Sequence, residues 1–301
     1  MILYGVVTHG GAGSPEEFSD GCDKAAAASF RMLESGVSAL DAVVEAVRIL
    51  EDDSRFNAGS GSVLRLDGKT IEMDAAVMDS AGNIGIVISI RDVKNPVLVA
   101  RAVIGTPHVA LSGQGATAFA RKCGFPHFLH VSQRARERHE RIRHLIREGN
   151  LGEENPLWRG HDIESFWNFD ELPFSDFVSC DTVGAVAMDK TGRLAVATST
   201  GGAAPMMLGR VGDSPLIGCG FYAGSSCAVA ATGIGEEIIK KMLARYVYDV
   251  VVGGESVGAA AERGIGLFSP DFATGVIALS QKGYATASNR RMARAVLVRE
   301  C

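Results

Sequence analysis

Apolar and polar positions follow two rhythms along this 301-residue chain. Ile2–Val7 is a short apolar run ending in Thr8-His9-Gly10-Gly11-Ala12-Gly13, which predicts a strand entering a glycine-rich turn. Ser14-Pro15-Glu16-Glu17 predicts a helix start, with Ser as cap and Pro in the first turn. That helix continues through Ala25–Ala28 and stops at Gly36. Between Ser38 and Leu50 the residues Ala39, Leu40, Val43, Val44, Val47 and Leu50 form a stripe at helical spacing. Phe56–Ser62 reads as a turn. Ser62–Leu66 and Thr70–Met78, with Asp67-Gly68 between them, predict a hairpin. Ile84–Ile90 reads as a buried strand, and Asn95-Pro96 opens a helix through Val103.

The second half changes character. Arg134 to Glu148 carries six arginines, but Glu137, Glu140 and Glu148 are interleaved with them. That pattern favours a solvated helix over a nucleic-acid patch. Residues 149–180 mix glycines, prolines, acids and aromatics, and read as a long exposed linker. Thr182–Met188 and Leu194–Thr198 are strand-like around a turn at Lys190-Thr191-Gly192. Ala228–Ala231 predicts a strand leading into a helix that runs on through Tyr248. Gly258–Gly266 reads as helical, and Phe272–Leu279 with Tyr284–Ala287 as a final hairpin. Strands come in adjacent pairs and so do helices, which suggests helix-covered sheets rather than strict βαβ alternation.

Composition narrows the possibilities. Hydrophobic residues make up 47% and charged residues 22%, an ordinary globular balance that excludes disorder, collagen and coiled coil. A net charge of −5 gives no generally basic surface, so nucleic acid is not an expected partner. No apolar run reaches the ~20 residues of a bilayer crossing. The start MILYGVVTHGGAG reads as a strand rather than a secretion signal, and six scattered cysteines without a CxxC pair fit a reducing cytoplasm. HExxH, GxSxG and Walker motifs are absent. HGGAG alone is a weak match to a phosphate loop.

One junction remains. Cys180-Asp181-Thr182-Val183-Gly184-Ala185-Val186 joins the linker to an apolar run. Thr182 reads either as a β-branched strand residue or as a nucleophile. If the Asp181–Thr182 bond breaks, Thr182 gains an α-amine of pKa ~7.7–8.0. That amine is a base for its own hydroxyl, which is weak until activated.

Six short motifs, in order, resemble the plant-type L-asparaginases with isoaspartyl peptidase activity, N-terminal nucleophile hydrolases related to glycosylasparaginase. They are His9–Gly13, Phe56–Gly59, Asp181–Ala185, Thr198–Gly202, Gly209–Pro215 and Ala231–Glu236, and the resemblance spans about Val7 to Ala295. It implies an α+β fold, a four-layer αββα sandwich. It also implies a single domain cleaved into an α subunit of residues 1–181, with the linker at about 149–181, and a β subunit of residues 182–301. In the family two such heterodimers pair, an (αβ)2 homo-oligomer.

The resemblance also implies roles. Thr182 would be the nucleophile in processing and in turnover, with the cleavage site at Asp181–Thr182. Thr200 matches a hydroxyl partner of the nucleophile and its amine; a hydroxyl leaves the amine neutral, as a base must be. Arg210 and Asp213 match the pair gripping the α-carboxylate and α-ammonium of a small-molecule substrate, the carboxylate suiting the planar guanidinium. Thr232 and Gly233 match the oxyanion hole. Gly235 would admit substrate close to the backbone, and Gly11 matches a glycine beneath the cleft. Asn57 matches a residue positioning the nucleophile. No cofactor serves catalysis, but Leu50, Glu51, Asp53, Phe56, Ala58 and Ser60 match a loop that holds a structural sodium through carbonyls. Asp181 stands where glycosylasparaginases carry Asp, so glycosylated asparagine is an alternative substrate to asparagine or a β-aspartyl dipeptide. An uncleaved amino-acid-binding relative is a second alternative. Arg291 replaces a family glycine, with the expectation that it narrows or recharges the cleft edge.

Overall fold

The computed structural model describes residues 1–129, 131–148, 156–161, 165–168 and 182–300. Asp181 and most of the linker reading for 149–181 therefore lie outside the described residues. The fold is α+β. A seven-stranded sheet has the order β11-β1-β5-β6-β2-β3-β4, and a four-stranded sheet the order β10-β9-β8-β7. The first comprises β1 (Ile2–His9), β2 (Met73–Asp79), β3 (Ile84–Ile90), β4 (Ala110–Ser112), β5 (Val183–Met188), β6 (Leu194–Thr200) and β11 (Arg294–Glu300). The second comprises β7 (Phe221–Ala223), β8 (Ala228–Gly233), β9 (Thr274–Ser280) and β10 (Gly283–Ser288). Every pairing is antiparallel except β3 with β4.

Side chains of β5 alternate between two cores. Val183, Ala185 and Ala187 join a cluster with helices α1 (Ser19–Glu34), α2 (Ala39–Asp52), α3 (Pro96–Val103) and α4 (Gly113–Lys122). Val186 and Met188 instead meet Ala228, Ala230, Ile277 and Leu279 of the other sheet. The outward residues of β8, Val229 and Ala231, pack with Leu243, Val247 and Ala260. Those three belong to α7 (Leu243–Val252) and α8 (Val257–Ile265). A strand buried on both faces shows no polar alternation, which is why β2 gave only a partial pattern although all seven of its residues are buried.

Ser38 caps α2 by accepting the Asp41 N–H, and Asn95-Pro96 opens α3 as expected. Other boundaries move. Ser14 does not cap a helix: its hydroxyl donates to the Gly11 carbonyl and accepts the Ala293 N–H, and a 3-10 turn at Glu16–Phe18 precedes α1. Ser62–Leu66 is not a strand. Buried Arg65 draws the segment inward, donating to the carbonyls of Glu72 and Gly201, although a turn does form at Asp67-Gly68. The helix expected to run through Tyr248 breaks at left-handed Met242, giving α6 (Gly235–Lys241) and then α7. The N–H groups of Ala244 and Arg245 reach the carbonyls of Cys219 and Gly218, which tilts the second piece onto that loop. Strand β11, α4, β4 and β7 were not anticipated. The arginine-rich α5 (Gln133–Glu148) turns Ile142 onto Val63, Leu66 and Ala204. Among the described residues no helix is long and apolar enough to cross a membrane, and Cys22, Cys219 and Cys227 are buried free thiols while Cys123 is exposed.

Candidate active site

Thr182 stands at the entrance to β5, inside the first sheet between β1 and β6. His9 of β1 is registered with Gly184, and Thr198 of β6 with the same glycine. This places the end of β1, the start of β5 and the end of β6 side by side. The end of β8 arrives from the other sheet, where Thr232 and Gly233 close that strand. Strand ends at a sheet rim leave side chains free of the ladder, and a cleft forms there.

The cleft is lined by Thr182, Thr200, Gly202, Ala203, Arg210, Gly212, Asp213, Ser214 and Gly233. Thr182 is 5% exposed, and its Oγ1 lies 2.9 Å from Ser214 Oγ. Ser214 is fixed in turn, since its carbonyl accepts the Thr198 hydroxyl at 2.8 Å. The Thr232 hydroxyl accepts the N–H of Thr182 at 3.4 Å and of Ala12 at 3.2 Å, and lies 3.5 Å from the Thr182 carbonyl. Thr200 lines the same cavity and accepts the Gly202 N–H at 3.0 Å. Asn57 binds the turn that follows: its Nδ2 donates to the Gly202 carbonyl at 2.6 Å, and its own carbonyl accepts the Gly201 N–H. Asn57 thus holds the loop that follows Thr200.

The other wall carries charge. Arg210 donates through Nε and Nη2 to both carboxylate oxygens of Glu236, each at 2.8 Å. Burial pushes the Glu236 carboxyl up, but the Arg210 charge and hydrogen bonds outweigh it and hold the group below its usual range. Asp213 is 3% exposed and its Oδ2 has no hydrogen-bond partner among the described residues. Burial raises its carboxyl to about 7 against the pull of Arg210. Gly235 lies between the two: a Cβ there would stand 2.9 Å from Arg210 Nη2 and 2.9 Å from Asp213 Oδ1. That glycine makes room for the charged pair and does not itself line the cavity. Behind the wall sit Arg65, Glu72 and Asp74, all buried.

Gly11 also lies off the cavity. Its N–H donates to His9 Nδ1 at 3.2 Å, which leaves the ring proton on Nε2, and burial holds His9 neutral with a pKa of about 3. The structure therefore brings Thr182, Thr200, Arg210, Asp213 and Gly233 onto one cavity, with Thr232, Gly235 and Asn57 supporting them. Arg291 is exposed and does not line the cleft, because its main chain is what faces inward: the Arg291 carbonyl accepts the Gly13 N–H at 2.7 Å. Two participants had no assigned role in the sequence reading, Ser214 and Glu236. Both lie inside quoted motifs, immediately after Asp213 and Gly235, so adjacency to a charged or glycine position was the available signal.

Hydroxyls gathered on one wall, facing a guanidinium and a buried carboxylate on the other, make a site suited to hydrolysis of a small molecule. The chain belongs to the asparaginase family: the family model described as "Asparaginase" matches residues 2–300. It is 41% identical over 294 residues to a plant-type L-asparaginase of Pyrococcus furiosus, covering 93% of this chain and 91% of that protein. A plant-type L-asparaginase of Thermococcus kodakarensis is 42% identical over 294 residues, with the same coverage. An isoaspartyl peptidase/L-asparaginase of Danio rerio is 41% identical over 259 residues, covering 82% and 75%.

Proposed function

We propose that this protein is an autoprocessing hydrolase that cleaves the side-chain amide of asparagine or of β-aspartyl dipeptides, with Thr182 as nucleophile. The observation that carries the reading is the buried Thr182 hydroxyl sharing one cavity with Arg210 and Asp213. Processing begins when Thr182 Oγ1 attacks the carbonyl carbon of Asp181. The C–N bond breaks, its nitrogen takes the hydroxyl proton, and an ester joins Asp181 to Thr182. Water hydrolyses the ester, releasing a carboxylate at Asp181 and the free amine and hydroxyl of Thr182.

In turnover that amine takes the proton from Oγ1, which attacks the substrate's β-carbonyl. The Thr232 hydroxyl and Gly233 N–H receive the oxyanion. Ammonia or an amino acid leaves with the proton held by the amine, and water resolves the β-aspartyl ester. Arg210 receives the α-carboxylate, its guanidinium oriented by Glu236, and the ionised Asp213 receives the α-ammonium.

The same reading orders the elements as helices, sheet, sheet, helices in one domain, the four-layer αββα sandwich, with residues 1–181 and 182–301 associated after cleavage and two such pairs assembling in the cytoplasm. A sodium ion in the 50–60 loop would be held by the carbonyls of Leu50, Glu51, Asp53, Phe56, Ala58 and Ser60, and would fix the loop that carries Asn57. Carbonyl oxygens are hard ligands that suit such an ion; of this set the Phe56 carbonyl fills the space a Cβ on Gly61 would take, while those of Leu50, Asp53 and Ala58 already accept the N–H groups of Asp53, Phe56 and Gly61. The Asp53 carboxylate is committed to Arg55. Aspartate release from asparagine and from β-Asp-Leu by the purified protein tests the function. Release from either supports it, and binding of aspartate without turnover by an intact chain contradicts it.

A further inference from the structure

In the uncleaved chain the nitrogen of Thr182 belongs to a peptide bond, and an amide N–H donates without accepting. The base that serves turnover is therefore missing from the step that creates it. The Thr182 hydroxyl still has to lose its proton as it attacks, since it is a weak nucleophile until that proton is taken. Another residue must receive it.

Among the described residues one side chain meets Thr182 Oγ1: Ser214, whose Oγ lies 2.9 Å away, with either oxygen able to donate. Thr200 is the hydroxyl that the family resemblance pairs with the nucleophile. Among the described residues it makes no hydrogen bond to Thr182 Oγ1, and its own hydroxyl accepts the Gly202 N–H. Thr232 stands beside the other reacting atom, accepting the Thr182 N–H at 3.4 Å.

Ser214 is 1% exposed and held from three sides. Its carbonyl accepts the Thr198 hydroxyl at 2.8 Å. Pro215 follows it and confines its backbone. Gly220 closes over it: a Cβ there would stand 2.7 Å from Ser214 Cα, and the Gly220 N–H donates to the Asp213 carbonyl at 3.0 Å. A hydroxyl fixed in this way needs little reorganisation when a proton moves.

We propose that Ser214 is the proton relay of self-cleavage, its Oγ receiving the Thr182 Oγ1 proton while the chain is still intact. This rests on the reading that the chain cleaves before Thr182. The bond from Oγ1 to the Asp181 carbonyl carbon forms and the C–N bond breaks. Ser214 takes one proton and gives up its own, and the proton given up ends on the Thr182 nitrogen. The serine is left neutral and unchanged. Once the amine is free, it takes over as base.

The test follows the fragment that starts at Thr182, by intact mass, during cell-free synthesis of the full chain. Ser214→Ala should slow its appearance about a hundredfold. Ser214→Thr restores a hydroxyl and should cleave at least about tenfold faster than Ser214→Ala. A packing role predicts the reverse order, because Ala fits the buried space and Thr adds a methyl group to it. Hydroxylamine cleaves esters, so it should not speed the Ser214→Ala chain, whose block precedes the ester. Cleavage of Ser214→Ala at the unmodified rate, Ser214→Thr no faster than Ser214→Ala, or rescue by hydroxylamine overturns the relay. An unmodified chain that never cleaves overturns the functional reading instead.

Discussion

The two walls of the cleft differ in kind. One holds Thr182, Thr200, Ser214 and, behind them, Thr232, all hydroxyls and all nearly or fully buried. The other holds Arg210, Glu236 and Asp213, backed by Arg65, Glu72 and Asp74. An amine serving as base near neutral pH needs surroundings that do not stabilise its protonated form, and hydroxyls meet that need where a carboxylate would not. A zwitterionic ligand needs fixed charges, and burial makes each charge count for more. The cost appears on that wall: burial lowers Arg65 to about 10 and raises Asp74 to about 6. On the proposed reading, keeping the two walls apart would let one cavity both hold a neutral base and grip a charged molecule.

Breaking the hydroxyl wall should have the largest effect. Thr182→Ala should lose aspartate release by about ten-thousandfold or more, with the fold retained by circular dichroism; release at near wild-type rates would remove Thr182 from the chemistry. Thr232→Val keeps the shape and removes the hydroxyl, and should lower kcat about a hundredfold to a thousandfold in steady-state assays. The charged wall should respond in KM. Arg210→Lys keeps the charge but not the planar pair of donors that Glu236 holds, so kcat/KM for asparagine should drop about tenfold to a hundredfold with kcat less affected.

The smallest effect is one of pH. In the free enzyme Asp213 is half protonated near pH 7, so kcat/KM should fall about tenfold per unit below that point. A bound ammonium favours the carboxylate, so kcat should not share that limb. Stability runs the other way. A carboxyl raised from 3.8 to about 7 favours the fold when protonated, and that contribution is lost as pH climbs through this interval. Asp213→Asn should therefore raise Tm at pH 8 while abolishing tight substrate binding; an unchanged Tm would contradict the burial cost.

Legibility in the sequence followed the same division. Helix α2, with its apolar stripe and Ser38 cap, and α3, with Pro96 in its first turn, were readable to within two residues because their signals are local. The segment at Ser62–Leu66 was misread because the buried guanidinium of Arg65 reaches Gly201, a contact across the fold that no periodicity encodes. Strand β11 was missed since it pairs with β1, at the far end of the chain. Thr182 was conspicuous only as a threonine at a change of texture, and its motifs supplied the rest. Ser214 and Glu236 act through geometry, at 2.9 Å from Thr182 and 2.8 Å from Arg210. Nothing in residue type distinguishes them from an ordinary surface serine and glutamate.

The central claim is that residue 182 becomes a chain terminus. Intact mass with N-terminal sequencing of the purified protein measures this directly. The account predicts two fragments, the second starting at Thr182 and appearing together with aspartate release. A single 31.7 kDa chain that releases aspartate at full rate, or a new terminus at any other residue, would contradict it.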